Sequence, residues 1–455
     1  MKNAFLKKLT LLAGDAVLIV AALYTAPALR FGSFFDLGRF FGPAEAFSVV
    51  SYLFFFYVFD LYNLEERFSR GAFVIRFGAS VVVASIFIAA MFFLFRVPLY
   101  SPGIFFLDGV LIFFFCMAWR LVFEQVRERA GRPLRLAVLG AGEAGQEFYE
   151  VVKGKRDYEV VGFLDDDEEK WGGTVGTVPV LGGSDLLPSL VREQQVDRVI
   201  LAVTHAIPPG VYKKLIEAKF SGVNVYEMPA FYEMVAEKIP VRHISDLRLT
   251  HSTMSGARRS VYTRRVKRVV DVSLSLCGLV VSLPVMALLC IAVRLDSPGP
   301  ALFVQKRIGR QERPFALYKF RTMRYGSENE RAYAGHKDDP RITRVGKVLR
   351  LFRLDELPQL WNVLKGEMSL IGPRALMEEE VREFNPAVPC FSLRHTVRPG
   401  ITGWAQVNYR HGATKEDALE KLQYDLYYLK NMSFLLDLDI LLRTVRVVLF
   451  GKGAR

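Results

Sequence analysis

Apolar positions are concentrated near the start of this chain, in four runs at roughly residues 9–29, 43–62, 74–95 and 103–122. Each is close to the ~20 residues an α-helix needs to cross a bilayer. Stretches such as SVVSYLFFFYVF and ASVVVASIFIAAMFFLF are too uniformly apolar for the one-sided burial of a soluble helix; Asp15 and Asp108 are the awkward inclusions. Basic residues in short loops set the orientation. Lys2, Lys7, Lys8, Arg67, Arg70, Arg76 and the exit from Arg120 to Arg135 fall on one side, and Arg30, Arg39 and Arg96 on the other. The pattern predicts a four-helix transmembrane bundle over 1–130 with both ends cytoplasmic. No small-x-small cleavage site closes the first run convincingly, so it reads as an anchor and not a leader.

From residue 134 the period changes. LRLAVLGAGEAGQEFYEVV is a strand running into Gly140, Gly142 and Gly145 and then a helix, and a second strand, YEVVGFLDDD, ends at Asp165. Glycines at this spacing allow a tight turn and close phosphate approach, and a later acid can hold a ribose. With the strand-like VDRVILAV and GVNVYEMP, this predicts an α/β Rossmann-like domain of nucleotide-binding type over 131–248. Gly140, Gly142, Gly145 and Asp165 are its cofactor-binding candidates. No Tyr-x-x-x-Lys pair follows, so a redundant or regulatory domain is as good a reading as an active one.

A basic, Ser- and His-containing linker over 249–263 precedes a fifth apolar run, about 269–293, with Pro284 near its middle. Both flanks are basic: Arg264, Arg265, Lys267 and Arg268 before, Arg294, Lys306, Arg307 and Arg310 after. A spanning helix shows an asymmetry of basic flanks, whereas one that breaks at a proline and returns need not. The expectation is a re-entrant helix, with everything after 294 on the cytoplasmic side.

The segment LRLFRLDELPQLWNVLKGEMSLIGPR, 349–374, sets Asp355 beside Glu356 among Arg350, Arg353 and Arg374. The plain reading is a helix over about 356–365, capped by Asp355, stopped at Gly366, and burying Leu357, Leu360, Trp361 and Leu364. Yet a cap needs one carboxylate, and a helix N-terminus also attracts phosphate. Spacing alone leaves cap and phosphate or metal site equally open.

Composition narrows the choice. Lys and Arg number 60 against 47 Asp and Glu, a net +13 that suits nucleic acid, a membrane surface or phosphorylated substrates. The 36 Phe, gathered mostly before residue 122, favour membrane over nucleic acid. Of four cysteines, Cys116, Cys277 and Cys290 lie in apolar runs and Cys390 stands alone, so no disulfide framework or metal knuckle is visible.

KRVVDVSLSL, SPGPALFVQKRIGR, FALYKFRTM, RLDELPQLWNVLKGEMSLIGPR, RHTVRPGITGWAQVN and DLYYLKNMSFLLDLDILLRTV, in this order, resemble the bacterial sugar transferases known as polyprenyl-phosphate phosphoglycosyl transferases. With the preceding bundle and α/β domain, the chain looks like the large form of that family, found in exopolysaccharide and O-antigen assembly. The resemblance implies an α/β monotopic catalytic domain over 264–455, on the cytoplasmic face of the bacterial inner membrane. It implies transfer of a sugar 1-phosphate from a UDP-sugar to undecaprenyl phosphate with release of UMP. By the same resemblance, Asp355 aligns with the carboxylate nucleophile and Glu356 with its acidic neighbour. Arg350 matches a phosphate-contacting arginine, Pro373 and Arg374 a motif at the uridine end, and Asp425 and Asp437 two further acidic positions near the site. Lys319, Arg321 and Arg353 lie in the matched motifs and join the phosphate-binding candidates, as do Lys306 and Arg307, expected with Lys267 and Arg268 as basic collars at the membrane. Ala375, where the family usually has proline, and Glu312, where glycine is common, depart from the pattern.

Elementary chemistry agrees with that role for the pair. A carboxylate attacks phosphorus when cations offset the diphosphate charge. Mg²⁺ takes oxygen ligands from one or two carboxylates and substrate phosphates, so Asp355 and Glu356 are also its candidate ligands. Membrane lipid is an expected partner and a homodimer is open. His395, Trp404 and Tyr409 read as packing or loop-shaping groups. Two rival readings remain: a membrane-anchored nucleotide-sugar-modifying enzyme using the α/β domain, and a non-catalytic assembly scaffold.

Overall fold

The computed structural model describes residues 2–32, 42–64, 66, 68–97, 102–129, 132–193, 195–203, 208–243, 262, 266–326, 339–409, 412 and 414–450. Packing divides the chain into two compact units, Met1–Tyr226 and Glu227–Arg455. The expected linker at 249–263 lies, apart from Tyr262, outside the described residues.

The first unit opens with helices α1 (Lys2–Phe31), α2 (Pro43–Val58), α3 (Gly71–Leu94) and α4 (Pro102–Arg129). Three of them are long and apolar enough to cross a membrane. The second expected span is shorter than the run suggests: α2 has 16 residues, about 24 Å at 1.5 Å per residue. The chain turns away at Asp60, which is left-handed at φ 60°. Asp15 ceases to be anomalous, because its carboxylate is buried against the Arg120 guanidinium, Nη2 to Oδ2 at 2.8 Å, between α1 and α4. A charge in such a setting must be paired.

Next come β1 (Leu134–Leu139), α5 (Glu143–Val152), β2 (Tyr158–Leu164), β3 (Thr174–Val175), β4 (Val178–Gly182), α6 (Leu187–Arg192), β5 (Arg198–Leu201), α7 (Pro209–Phe220) and β6 (Asn224–Glu227). The sheet order is β3-β4-β2-β1-β5-β6, with β1 parallel to β2 and β5. This is the Rossmann-like arrangement expected from the glycine fingerprint. Gly140 has φ 111°, and a Cβ there would lie 2.6 Å from the Ala202 carbonyl oxygen, so only glycine fits this turn.

The second unit starts with α8 (Met228–Ala236) and a 3₁₀ turn, Val241–His243. Residues 228–243, which the sequence pattern assigns to the middle domain, are therefore packed into the C-terminal unit. Then follow α9 (Lys267–Asp296), β7 (Leu302–Ile308), β8 (Pro314–Phe320), α10 (Arg344–Leu351), α11 (Gln359–Lys365), β9 (Ser369–Ile371), α12 (Glu378–Ala387), β10 (Gly400–Thr402), α13 (Trp404–Asn408), α14 (Lys415–Asn431) and α15 (Phe434–Phe450). β7 and β8 form an antiparallel hairpin, and β9 pairs with β10 in parallel.

The break expected at Pro284 is not seen: the proline lies inside α9, a single 30-residue helix. Both ends of α9 bond to this one unit. Near the start, Lys267 Nζ donates to Asp437 Oδ2 at 2.7 Å and Asp271 accepts from the Ser369 hydroxyl at 2.8 Å. At the far end Arg321 donates to the Ser297 and Val293 carbonyls, and Asp296 accepts from the Val345 amide at 2.9 Å. Val280, Val281, Leu283 and Val285, between these anchors, are exposed.

Candidate active site

Asp355 and Glu356 sit on a 3₁₀ turn, Leu354–Glu356, between α10 and α11. Arg353, just before it, takes the left-handed conformation at φ 55°, which is strained for a non-glycine residue. Neither this turn nor α11 carries a side-chain cap hydrogen bond, so Asp355 is not the cap that spacing alone allowed. Gly366 does stop α11, at φ 88°.

The turn is held from below. Asn362, fully buried on α11, donates to the Ala316 carbonyl at 2.6 Å and accepts from the Tyr318 amide at 3.1 Å, pinning α11 to β8. Arg268 donates to the carbonyls of Val363 and Leu364, and Arg398 to that of Gly366, closing the other end of α11. The apolar stripe expected to be buried lies elsewhere: Trp361 is 51% exposed, while Gln359, Asn362 and Val363 are buried. Leu360 comes close to Gly278 of α9, so the stripe faces the apolar helix and leaves the polar side chains inside.

Three cations converge on Glu356. Lys319 Nζ, Arg353 Nη1 and Arg374 Nη1 stand 3.6, 3.6 and 3.7 Å from Oε1, slightly beyond a full hydrogen bond. Burial alone would raise the Glu356 pKa, but Lys319, Arg374 and Arg353 outweigh it and hold it below the ordinary value. Asp355 goes the other way. Burial and then the charge of Glu356 push it up, against the pull of Lys319, Arg350 and Arg353. Two adjacent acids are thus shifted in opposite directions, Glu356 down by its cations and Asp355 up by burial and by Glu356.

Around this pair, Arg350 donates from Nε to the Thr322 hydroxyl at 2.9 Å. Arg374 is bridged through its backbone to Gly400, and the Pro373 carbonyl accepts from the Gly400 amide at 2.9 Å. The structure therefore brings together Asp355, Glu356, Lys319, Arg353 and Arg374, with Arg350 acting electrostatically on Asp355. Arg307 is one step back, bonded to Gln305, the Ala375 carbonyl and Glu380, its pKa lowered by burial to about 10. Lys306 lies 3.3 Å from Glu378. Arg321 is spent on the carbonyls that end α9. Asp437 is taken by Lys267, Tyr262 and Tyr428. Asp425 pairs with Arg394 at 2.9 Å, and burial raises its pKa to about 6. Arg394 and Asn362 were not singled out from sequence. Arg394 donates to the Arg374 carbonyl at 3.2 Å, behind the site; a polar residue within an apolar helix was the available signal for Asn362. Trp404 and His395 are buried, and Tyr409 bonds to Asp417.

In the other unit, Asp165 meets the glycine loop directly. Its carboxylate accepts from the Ala141 amide at 2.8 Å, the Asp167 amide at 3.0 Å and Lys170 Nζ at 3.1 Å.

Residues 262–451, which hold the convergent cations and the dyad, match the family model described as bacterial sugar transferase. A relative in Rhizobium leguminosarum bv. phaseoli, the exopolysaccharide production protein PSS, is 41% identical over 195 residues, 41% of this chain and 98% of the relative. The chain belongs to the bacterial sugar transferase family. Two larger family members are similar to it. One is the UDP-N-acetylgalactosamine-undecaprenyl-phosphate N-acetylgalactosaminephosphotransferase of Aeromonas hydrophila, 39% identical over 53% of this chain and 56% of the relative. The other is the undecaprenyl-phosphate glucose phosphotransferase of Komagataeibacter xylinus, 33% identical over 70% and 60% respectively. The chain thus spans less than two thirds of the length of these two sugar transferases. Residues 47–229 match a second model, described as a CoA-binding domain.

Proposed function

We propose that this sugar transferase moves a sugar 1-phosphate from a UDP-sugar to undecaprenyl phosphate, initiating exopolysaccharide or O-antigen synthesis. The carrying observation is the dyad: Glu356, its pKa held down by three cations 3.6–3.7 Å away, beside Asp355, whose pKa is pushed up by burial and by Glu356. In the reaction, an Asp355 carboxylate oxygen attacks the phosphorus that bears the sugar. The bond from that phosphorus to the bridging oxygen breaks, and UMP leaves with the electron pair. An oxygen of undecaprenyl phosphate then attacks the same phosphorus, giving undecaprenyl-diphosphate sugar and returning the Asp355 carboxylate. Lys319, Arg353 and Arg374 stand where charge on the diphosphate needs a counterweight.

Among the described residues no three His, Cys, Asp or Glu side chains form a cation cage. Two adjacent carboxylates do suit a Mg²⁺ shared with substrate phosphates, the usual habit of that ion. Asp355 and Glu356 would hold it, and when bound it would offset diphosphate charge.

The membrane arrangement supports one site serving both substrates. A helix whose ends are both bonded to one polar unit, with an exposed apolar middle, fits entry and return on the same face better than a crossing. Its place is the inner membrane, with the site at the cytoplasmic surface, where the lipid phosphate lies. The test is incubation of purified enzyme with a panel of UDP-sugars, with and without undecaprenyl phosphate. UMP release and one phosphosugar mass on Asp355 are expected, discharged by the lipid phosphate. Absence of that adduct in a single turnover, with UMP still formed, would leave direct transfer as the better account.

A further inference from the structure

Residues 230–261 belong to neither family match, which end at 229 and begin at 262. Yet 228–243 is built into the core of the transferase unit. Ile239 and Val241 are 3% and 4% exposed, clustered with Ile371, Phe384, Trp404 and Leu422. The polar contacts run along one stripe of α14, at positions 420, 423, 424, 430 and 431, the spacing of a single helical face. Lys238 bonds Glu420 at 2.6 Å and lies over the Tyr424 ring, the Ile239 amide donates to the Gln423 carbonyl at 3.1 Å, and Glu233 takes Lys430 at 2.7 Å and Asn431 at 3.3 Å. The buried Trp404 indole donates to the Glu237 carbonyl at 2.9 Å, and Glu237 is turned left-handed at φ 54°.

What the segment grips leads back to the dyad by two routes. Trp404 begins α13 directly after β10, where the Thr402 carbonyl accepts from the Gly372 amide and the Gly400 amide donates to the Pro373 carbonyl, each at 2.9 Å. α14 carries Asp425, which fixes Arg394, and Arg394 donates to the Arg374 carbonyl. Both sides of the 372–374 backbone therefore rest on elements that the segment clamps, and Arg374 reaches Glu356.

We propose that residues 228–243 are a strap of the catalytic unit that positions Arg374, making the transferase site depend on a segment outside the matched transferase stretch. The strap is a positioning element, since none of its residues touches the dyad. Its activity consequence rests on the transferase reading; its structural consequence does not.

The experiment uses the full-length protein in nanodiscs with Trp404→Phe, which keeps a ring and loses the N–H, and separately Lys238→Ala, which spares the core. Hydrogen exchange read by mass spectrometry should quicken over 371–374 and 400–404 in both variants and stay unchanged in α3. The KM for UDP-sugar should rise about 5-fold with kcat within about 2-fold, and in an Arg374→Ala background the same change should bring no further loss, because coupled residues are not additive. Exchange that quickens over 228–243 but not over 371–374, or a KM effect that adds fully to that of Arg374→Ala, would overturn the proposal. Wild-type protein that releases no UMP would sink the transferase reading, while the exchange result would still decide the strap.

Discussion

Two acids in this molecule end strand-and-turn segments beside glycines or cations, and they are in opposite states. Asp165 is satisfied: three donors lie within 3.1 Å, two of them backbone amides, and after burial these hold its pKa below the ordinary value. Glu356 attracts three cations and completes a short bond with none, its partners standing at 3.6–3.7 Å. A saturated carboxylate is a structural tie. One surrounded by cations at slightly more than bonding distance leaves room for another anion's oxygens, which is what a diphosphate brings.

The comparison breaks most visibly at Asp355. Asp355→Asn keeps size and hydrogen-bonding shape but removes the attacking oxyanion, so turnover should fall by ~10⁴-fold or more with folding preserved. UMP release under single-turnover conditions measures it, and a mild loss would return Asp355 to a structural role. Chelating divalent cations should also stop turnover, and added Mg²⁺ should restore it; full activity in chelator would remove the metal from the dyad.

Lys319→Met sharpens the same contrast with a smaller effect. Lys319 lowers the Asp355 pKa and faces Glu356. Because Asp355 reacts as the carboxylate and its folded pKa lies above the usual 3.8, activity should fall as pH drops through that raised value. Without Lys319 the acid limb should move to higher pH, together with a rate loss of roughly 10²–10³-fold at neutral pH, the range of a lost charge-stabilising donor. An unmoved limb would show that Asp355 does not set it.

Much of this contrast was legible in sequence, because both acids sit in local motifs whose strand, turn and glycine order is fixed over a few residues. The fingerprint gave the sheet and Gly140, and the motif around 349–374 gave the dyad and its arginines. What was not legible depends on contacts between distant segments. The apolar stripe of α11 reads as a core face, but α9 supplies an apolar neighbour on the outer side, so Asn362 and Gln359 occupy the interior. Lys267, Arg268 and Arg321 read as free cations near a membrane or phosphate, and are bound to Asp437 or to helix-end carbonyls. The strap was invisible because α8 follows β6 without a break, and only packing reveals which unit owns it.

That last point predicts a difference between two shortened proteins. One beginning at Arg258 would expose the pocket of Ile239 and Val241 and leave the Trp404 indole without its carbonyl; one beginning at Glu227 keeps both. Losing buried Ile239 and Val241 and a buried hydrogen bond costs about 3–6 kcal/mol, and the removed stretch also buries Met228, Phe231 and Tyr232, so the shorter protein should unfold at clearly lower temperature. Equal melting would mean that the strap adds nothing to the unit.

The smallest effect belongs to Asp165, and it decides whether the two acids truly differ in kind. Asp165→Asn can still accept from the Ala141 amide through its amide oxygen, but loses the charge that draws the Asp167 amide and Lys170. Lys170 is 39% exposed, so water screens that pair and it contributes little; the expected loss is ~1 kcal/mol, that of about one net hydrogen bond. The folded pKa is depressed, so the stabilisation is present above the unfolded value near 3.8 and disappears as pH falls through the folded one. Wild type and variant should therefore differ at neutral pH and converge once the pH has fallen below the depressed folded value. Hydrogen exchange over residues 140–145 should register this, while UMP release from a UDP-sugar should be unchanged at every pH where both remain folded. A ten-fold fall in UMP release at neutral pH would mean that the glycine loop and its acid take part in the transfer, and that saturation by internal donors is no sign of a purely structural carboxylate.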